Sequence, residues 1–322
     1  MLLAKEESLM QRKTKVWAAL SILICGAWSA EAVVNIQHLG AGARSAALGN
    51  SFVAVADNGD ALFSNPAGLS QISKHQVAYT NVSLLFGGIE GDDLGQHLFS
   101  YAQPLGGRMG WGVGYERIGS DLMSENGAFF GLSYKAGERL RFGLTGKYLF
   151  WSVGDIPPDN GRADPLSNSS KGGIGLDLGM LWKSPFQGAV VGLQVVNLLK
   201  PNVASKKGAV NLPSDAGQVP MDLHVGVAEH FGVSLVSVEW VMRDLGGEAT
   251  DKRLVVGGET KLVEGLMVRA GGSKAFETDG SGAVNAGLGY QWKKMWLDYS
   301  YHIPLELTET NGAHRFSLAY EF

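Results

Sequence analysis

The chain has 322 residues, of which 18% are charged and 45 are glycine, and its mean hydropathy is close to zero. This hydropathy excludes a helical membrane protein, which is far more apolar, and a highly charged cytosolic protein is equally excluded. The formal net charge of −4, without a basic block, argues against a nucleic-acid partner.

The first residues predict export. Four basic residues within the first fifteen positions precede the apolar run 16–28, which is too short to span a bilayer comfortably as a helix. Ala30 and Ala32 supply small residues at positions −3 and −1 of a cleavage site. We therefore predict a signal peptide over 1–32, with an uncleaved anchor as the alternative. Cys25, the only cysteine, lies inside it, so the predicted mature chain has no disulfide or cysteine-based metal site.

From about residue 75 onward the sequence contains segments with the length and alternation of tilted membrane strands. In 139–150, for example, Leu140, Phe142 and Leu144 alternate with Arg141 and Gly143. The segment at 188–199 is apolar on both parities, so its orientation stays open. We expect about fourteen strands, at 75–87, 95–105, 108–118, 127–136, 139–153, 172–183, 188–199, 220–230, 233–243, 251–262, 265–275, 282–291, 294–303 and 313–322.

The connections between these strands alternate between tight and long. The tight ones lie at 106–107, 137–138, 184–187, 231–232, 263–264 and 292–293. The longer ones lie near 88–94, 119–126, 154–171, 200–219, 244–250, 276–281 and 304–312. Short periplasmic turns and longer external loops are typical of outer-membrane barrels, whereas a soluble β-protein, the alternative, has no reason to sort its loops.

No stretch beyond residue 32 is long and apolar enough for a transmembrane helix, so a membrane position requires a closed barrel. The sequence therefore predicts an all-β fold, an antiparallel transmembrane β-barrel in the bacterial outer membrane, in contact with its lipid. Aromatic residues near predicted strand ends are expected to form interfacial girdles, namely Trp111, Trp151, Trp182, Trp292 and Trp296. The alternating, aromatic ending at Phe322 resembles the signal read by the outer-membrane assembly machinery.

Residues 33–74 do not have the pattern of a barrel wall. They are rich in small residues that allow close backbone packing, and Asn65-Pro66 suits a helix N-cap followed by proline at the first helical position. We predict that this segment forms short helices and turns that plug the barrel or close its periplasmic mouth. The predicted organisation is thus a signal peptide (1–32), a plug (33–74) and a barrel (75–322).

An ordered set of motifs in this segment resembles the N-terminal signature of the PorV/PorQ family, within the broader FadL-like group of 14-stranded barrels. The motifs are Gly-Ala-Arg followed by Leu-Gly, then Ala-Asp before a second acidic residue, then Asn-Pro-Ala-Gly-Leu. Ser64 departs from the family pattern, in which an aromatic residue or Asn often precedes Asn-Pro. The matching plug residues are Gly42, Arg44, Gly49, Asp57, Asp60, Asn65, Pro66 and Gly68.

The resemblance implies two non-enzymatic functions. PorV-like proteins act in type IX secretion, so their partners are secretion components and exported cargo proteins. FadL-like proteins carry hydrophobic small molecules such as long-chain fatty acids, using a plug and a lateral opening in the wall. We favour the secretion role because the start of the segment fits it better, and the transport role is the alternative.

The sequence contains none of the common motifs for catalysis or cofactor binding. The seven histidines form no HExxH pair, and there is neither a Gly-x-Ser-x-Gly elbow nor a phosphate-binding loop. Asp57, Asn58 and Asp60 lack the spacing of an EF-hand loop and fit a capped turn better. We expect no catalytic residue, no metal and no cofactor.

Two features of the barrel and plug suggest specific contacts. Arg44 is expected to pair with Asp57 or Asp60, or with a wall carboxylate such as Asp177 or Asp298; the alternative is exposure to periplasmic water.

The third predicted strand has a face without side chains, formed by Gly110, Gly112 and Gly114, while Trp111, Val113 and Tyr115 face lipid. Such a face either packs against the plug or marks a bend that opens the wall laterally, and we favour packing.

Overall fold

The fold was obtained as a computed structural model that describes residues 40–83, 95–120, 123–156, 166–185, 188–203, 217–247, 250–276, 281–305 and 312–322. The predicted signal peptide, including Cys25, and residues 33–39 lie outside the described residues. So do the central parts of most of the longer connections.

Fourteen antiparallel strands form a closed barrel, as predicted. Each strand pairs with its neighbours in sequence, and β1 pairs with β14 to close the ring. The strands are β1 Gln76–Ser83, β2 Gly95–Leu105, β3 Met109–Gly119, β4 Met123–Ala136, β5 Leu140–Val153, β6 Ser169–Lys183, β7 Val190–Val196, β8 Asp222–Phe231, β9 Ser234–Arg243, β10 Asp251–Val263, β11 Leu266–Ala275, β12 Gly282–Trp292, β13 Met295–Pro304 and β14 Ala313–Glu321.

Alternation along the strands sorts side chains between lipid and lumen. On β5, Phe142, Leu144 and Tyr148 are 43–48% exposed on the outside, whereas Thr145 and Lys147 are buried inside. The same apolar exterior recurs around the ring, and a closed barrel leaves no unpaired edge along its seam. An apolar outer surface on a closed barrel is what a bilayer requires, so the chain is a bacterial outer-membrane barrel.

The tight connections are built on residues in the left-handed region. Gly106, Gly137, Gly232 and Gly265 have φ between 60° and 80°, a conformation that glycine adopts without strain. These turns mark one end of the barrel, and the long connections mark the other, which we call the external end.

Residues 40–75, which we call the inner segment, lie inside the barrel. They contain α1 (Ala43–Ala47), α2 (Ala61–Ser64) and a 3₁₀ helix (Pro66–Gln71). The Asn65 side chain accepts a hydrogen bond from the Ala67 N–H at 3.2 Å and Pro66 follows as the first residue of the 3₁₀ helix, as predicted. No helix among the described residues has the length and apolar character needed to cross a membrane.

The strand β3 is paired without interruption on both sides. Every residue from Met109 to Gly119 has a partner on β2 and another on β4, without a register shift. The alternative in which the glycines of β3 bend the strand and open the wall is therefore not realised in this structure.

The wall is interrupted instead between β6 and β7. The strand β7 ends at Val196, earlier than the predicted 199, and it pairs only with the Leu178–Lys183 end of β6. Asn197 has a φ of 55° and turns the chain away from the sheet. Among the described strands, none pairs with the external part of β6 on this side.

One of the predicted girdle residues faces the lumen. Trp151 lies on the inward parity of β5, is 9% exposed and donates a hydrogen bond from Nε1 to the Val203 carbonyl at 2.7 Å. The prediction failed because position near a strand end says nothing about parity. Trp182 and Trp292 are exposed on the outside, at 40% and 54%.

Candidate functional site

The inner segment rests on a belt of glycines that point into the barrel. At each of them a Cβ atom would lie within 3.4 Å of the inner segment. Eleven glycines on nine strands share this property: Gly110, Gly112, Gly114, Gly131, Gly143, Gly179, Gly192, Gly226, Gly257, Gly271 and Gly287. The absent side chains leave the space in which the inner segment packs backbone against backbone.

The predicted glycine strip of β3 belongs to this belt. A Cβ on Gly110 would lie 2.0 Å from the Leu69 carbonyl oxygen, and one on Gly114 would lie 2.7 Å from Leu62. A Cβ on Gly112 would lie 3.4 Å from Leu69 Cδ2, an ordinary contact distance. The geometry thus corresponds to packing against the inner segment, the alternative that the sequence favoured.

Asn65 ties the inner segment to two strands of the wall. It is fully buried, and its Nδ2 donates to the Val53 carbonyl at 2.7 Å and to the Met180 carbonyl on β6 at 3.2 Å. The Leu193 carbonyl on β7 lies at 3.4 Å. The amide can accept at its oxygen, as a helix cap, and donate from its nitrogen to carbonyl groups, whereas an Asp at this position could only accept.

The motif glycines have packing roles within and around the inner segment. A Cβ on Gly42 would lie 2.2 Å from an Asp60 carboxylate oxygen, and one on Gly68 would lie 1.9 Å from the Ala56 carbonyl oxygen. Gly49 has a φ of 70° and approaches the backbone nitrogen of Gly272 on β11. A side chain at Gly68 would meet the backbone of the inner segment, one at Gly49 would meet the backbone of β11, and one at Gly42 would displace the Asp60 carboxylate.

Arg44 forms ion pairs with Asp57 and Glu259. Its Nε and Nη2 donate to Glu259 Oε2 and Oε1 at 2.9 Å each, and its Nη1 contacts Asp57 Oδ1. The predicted pairing with Asp57 is therefore present. Burial opposes the charge of Arg44, but the two carboxylates hold the pKa of the guanidinium well above its usual value.

The wall partner of Arg44 is Glu259, not one of the wall residues named from the sequence. Asp177 pairs with Lys147 at 2.6 Å, and Asp298 pairs with Arg269, which also contacts Glu259. The prediction of a wall carboxylate was thus right in kind and wrong in residue, because alternation identifies lumen-facing acids but not their height in the barrel.

Asp60 is buried beside Gly42 rather than paired with Arg44. Its Oδ2 accepts a hydrogen bond from Asn58 at 3.3 Å. Burial raises the pKa of Asp60 to about 6, with Asp298 adding to the rise, while the Asn58 hydrogen bond and the charges of Arg44 and Arg315 oppose it. Asp60 therefore changes charge under mildly acidic conditions.

Glu239 of β9 binds the backbone of the inner segment at Phe52 and Val53. Its Oε2 accepts from both of these N–H groups at 2.8 and 2.9 Å, and its Oε1 lies 2.7 Å from His224 Nδ1. Glu239 is 2% exposed, so these hydrogen bonds are shielded from water. Nothing in the sequence pattern singled out this residue.

An apolar cluster fills the lumen between the inner segment and the external end. Leu62 and Leu69 of the inner segment lie at one end of it, and Val203 and Val219, beside the long connection after β7, lie at the other. Wall residues of β4 and β5 connect the two ends, namely Phe129, Leu149, Trp151 and Val153. This part of the lumen is therefore apolar.

The chain that leaves β7 separates this cluster from the outside. Asn197 donates from its N–H to Asp177 Oδ1 at 2.7 Å, and Val203 is 2% exposed within the cluster. Leu198 and Leu199 lie on the outer side, at 40% and 57% exposure. Irregular backbone thus covers the part of the wall where β6 lacks a partner strand.

A second space lies beside the inner segment, toward the external end of the barrel. It has a volume of ≈ 60 Å³ and is lined by Phe52 and Phe63 of the inner segment and by wall residues that include Leu98, Gln194 and Glu239. This volume is well below the usual range for small-molecule pockets.

Phe322 lies at the seam where the barrel closes. Its N–H donates to the His75 carbonyl at 3.0 Å, and the His75 N–H donates back to the Phe322 carbonyl at 3.2 Å. The two rings are 5.3 Å apart. The role of Phe322 in assembly stays a prediction. Within the described part of the chain, no group of three or more His, Cys, Asp or Glu residues could hold a metal ion.

Comparisons with solved structures identify barrels of the same fold. No protein-family model matches the chain, and no curated protein matches it significantly in sequence. Among solved structures, the chain is similar to the CymD monoaromatic hydrocarbon channel (TM-score 0.66, 15% identity, covering 90% of this chain and 99% of that one). It is also similar to the toluene transporter TbuX of Ralstonia pickettii (TM-score 0.63, 16% identity, covering 90% of this chain and 99% of that one). A third similar structure is a Pseudomonas aeruginosa FadL homologue (TM-score 0.53, 14% identity, covering 84% of this chain and 95% of that one). These similarities show that the chain has the fold of FadL-like 14-stranded barrels, and nothing found points to PorV/PorQ in particular.

Proposed function

We propose that this protein is an outer-membrane channel for hydrophobic small molecules and that the inner segment is its plug. The observation that carries the proposal is the apolar cluster in the lumen, which extends from Leu62 and Leu69 to Val203 at the wall interruption. Such a cluster offers nothing to a polar solute that crosses a pore. A hydrophobic passenger, in contrast, can exchange contact with water for contact with these apolar side chains. The solved structures of similar fold include a toluene transporter and a monoaromatic hydrocarbon channel, which supports the same function.

We further propose that the passenger leaves the lumen through the interruption between β6 and β7. A stretch of irregular backbone in the wall is costly in a bilayer, because its polar groups are not paired in a continuous ladder. Here it separates an apolar interior from exposed apolar residues, with Val203 inside and Ile174 and Leu198 outside. Opening this segment would join the lumen directly to the lipid.

The function is tested by uptake of labelled toluene and of a labelled long-chain fatty acid into cells with and without the protein. We expect faster uptake of at least one of them in cells that contain it. Equal uptake of both by the two strains, together with loss of surface-attached proteins in the strain that lacks it, would overturn the proposal and favour the secretion role.

The exit route is tested with a disulfide. A Cβ on Gly173 would lie 3.0 Å from the Pro201 Cβ, so Gly173→Cys with Pro201→Cys should cross-link the segment to β6. We expect oxidation to lower uptake and reduction to restore it. The control joins Ala78 and Ala319, which are partners in the continuous β1–β14 ladder, and its oxidation should leave uptake unchanged. Equal effects of the two cross-links would contradict the proposed route.

A further inference from the structure

Tyrosines on the outer surface mark the level at which the barrel leaves the lipid. Tyr79 of β1, Tyr115 of β3 and Tyr299 of β13 face outward, and the hydroxyl group of each is hydrogen-bonded to a residue two positions nearer the external end on the next strand. The partners are His97 Nδ1 at 2.8 Å, Asn126 Oδ1 at 2.7 Å and His314 Nδ1 at 2.8 Å. Because tyrosines at a membrane interface direct the ring to the lipid and the hydroxyl group to the headgroups, these partners lie at headgroup level.

His97 and Arg117 lie side by side at this level. They are directly opposite one another in the β2–β3 ladder, and both side chains are exposed on the outer surface. Opposite residues in such a ladder have Cβ atoms about 4.5–5.5 Å apart, so one ligand group can contact both side chains. Among the described residues, none forms a hydrogen bond or ion pair with the Arg117 guanidinium.

The neighbours of His97 leave its Nε2 atom as a hydrogen-bond donor. The Asn81 Nδ2 atom lies 3.3 Å from His97 Nδ1 and can only donate, so Nδ1 accepts. The proton of the neutral ring is then on Nε2. The Tyr79 ring stacks on the imidazole, with centroids 6.2 Å apart and an angle of 22° between the planes, which fixes its orientation. The outer surface therefore presents an N–H group and a guanidinium next to each other.

The surroundings of this pair favour a ligand that is anionic at one end and apolar at the other. On β13, β14 and β1–β4, the described acids all have the inward parity, namely Glu116, Glu125, Asp298 and Glu321. The outward-facing described residues of these six strands therefore carry no negative charge that would repel an anion. Toward the middle of the membrane, the next outward residues on β2 and β3 are Phe99 and Tyr115, both exposed to lipid.

We propose that His97 and Arg117 bind the phosphate group of an outer-leaflet lipid, whose acyl chains lie against Phe99 and Tyr115. Phosphate oxygens accept hydrogen bonds readily from a guanidinium and from an N–H group beside it. A free phosphate ion would gain nothing from the aromatic surface next to the pair, whereas a lipid buries its chains there. The inference goes beyond the proposed function, because it concerns the outer surface of the wall and does not depend on the passenger.

The test compares lipid A with its fully dephosphorylated form. Binding of each to the purified full-length barrel in detergent is measured by native mass spectrometry. We expect the dephosphorylated form to bind about tenfold more weakly, since it loses charge-assisted hydrogen bonds and keeps the acyl chains. Equal affinity of the two forms would overturn the inference. Displacement of lipid A by inorganic phosphate would also overturn it, because the site would then be one for a free anion.

Variants separate recognition of the phosphate from a general loss of structure. Arg117→Gln should lower the affinity for lipid A about tenfold and leave that for the dephosphorylated form unchanged. His97→Phe keeps a ring beside Tyr79 but removes the Nε2–H donor, so it should lower the affinity for lipid A by a smaller factor. If both variants migrate as folded barrels and bind lipid A as the parent does, the inference is wrong.

Lys171→Gln is the matched control. Lys171 is also an exposed cation near the external end, but it has the inward parity of β6 and does not face lipid. Its replacement should leave the affinity for lipid A unchanged. A loss equal to that of the Arg117 variant would show that binding follows the net charge of the barrel, and would contradict a site at His97 and Arg117.

Discussion

The guanidinium of Arg44 and the carboxylate of Glu259 meet side by side, with two parallel hydrogen bonds of 2.9 Å. The pair joins the inner segment to β10 across 215 positions of sequence. Both side chains are largely shielded, at 15% and 12% exposure, so loss of either partner would leave the other charge buried and poorly solvated. Phe52 lies under the same guanidinium, with the Arg44 Cζ atom 5.6 Å from the ring centroid.

Arg44→Ala should release the inner segment more often and raise the conductance of the barrel. Removing one member of a buried ion pair costs about 3–5 kcal/mol, and the remaining contact of Glu259 with Arg269 places this pair at the lower end. Single-channel recordings in planar bilayers should show more frequent openings.

The control for this variant is Arg253→Ala. Arg253 also pairs with a carboxylate, Asp251 at 2.6 Å, on the same strand as Glu259 but at its external end. Its removal should leave the recordings unchanged. Identical opening frequencies in the Arg44 variant and the parent, with both barrels showing normal heat-modifiable migration, would contradict the anchoring role.

Acidity should strengthen the docking of the inner segment through Asp60. The pKa of Asp60 is about 6 in the folded protein and 3.8 when the side chain is in water. Because the folded-state pKa is raised, its stabilising effect is complete below about pH 4 and is lost as the pH rises through about 6. The difference corresponds to about 3 kcal/mol.

The measurement is the opening frequency of the channel at pH 5 and pH 7.5. We expect more openings at the higher pH for the parent and little change for Asp60→Asn, in which the buried group stays neutral at both. The same pH dependence in the two proteins would show that another group controls it.

A side chain should disturb the inner segment when it is placed on a glycine of the belt, but not when it is placed on a glycine that faces lipid. Gly143 and Gly146 lie three residues apart on β5. A Cβ would point into the lumen at Gly143 and towards the lipid at Gly146. A Cβ at Gly143 would lie 2.2 Å from the Ala67 backbone nitrogen, whereas one at Gly146 would meet nothing within 4 Å. Gly143→Val should therefore displace the inner segment, and Gly146→Val should be tolerated.

The readout is sensitivity of cells to a large hydrophilic antibiotic, alongside the folded and unfolded forms on a gel. The Gly143 variant should admit the antibiotic through an assembled barrel. If both variants behave as the parent does, the inner segment does not depend on close backbone contact at β5.

Strand positions and loop parity were predictable from the sequence because each depends on local pattern. The alternation of Phe142 and Leu144 with Gly143 and Thr145 assigns faces without any knowledge of the partner strands. The glycine belt could also have been found in this way, since its members recur at inward parity in strand after strand. Only the strip on β3 was dense enough to be recognised.

Contacts between the inner segment and the wall could not be predicted, because they depend on the depth at which the segment sits. Arg44 meets Glu259 rather than Asp298 for this reason, although both acids face the lumen. The early end of β7 could not be predicted from the sequence either. The two leucines after Asn197 continue the apolar character of the strand, and only tertiary contacts such as the one from the Asn197 N–H to Asp177 hold the chain away from the sheet.

Two explanations of the role of Phe322, the last residue of the chain, can be separated by mutation. Phe322 is expected to be part of the signal for outer-membrane assembly, but it also exchanges backbone hydrogen bonds with His75 and contacts its ring. Phe322→Ala should lower the yield of assembled barrel in the outer membrane while export across the inner membrane continues, as measured by fractionation and heat-modifiable migration. His75→Ala removes the same ring contact from the other side and leaves the chain end intact, so its yield should stay near that of the parent. If the two variants lose yield equally, Phe322 acts through closure of the seam between β1 and β14, and the expectation of an assembly signal is wrong.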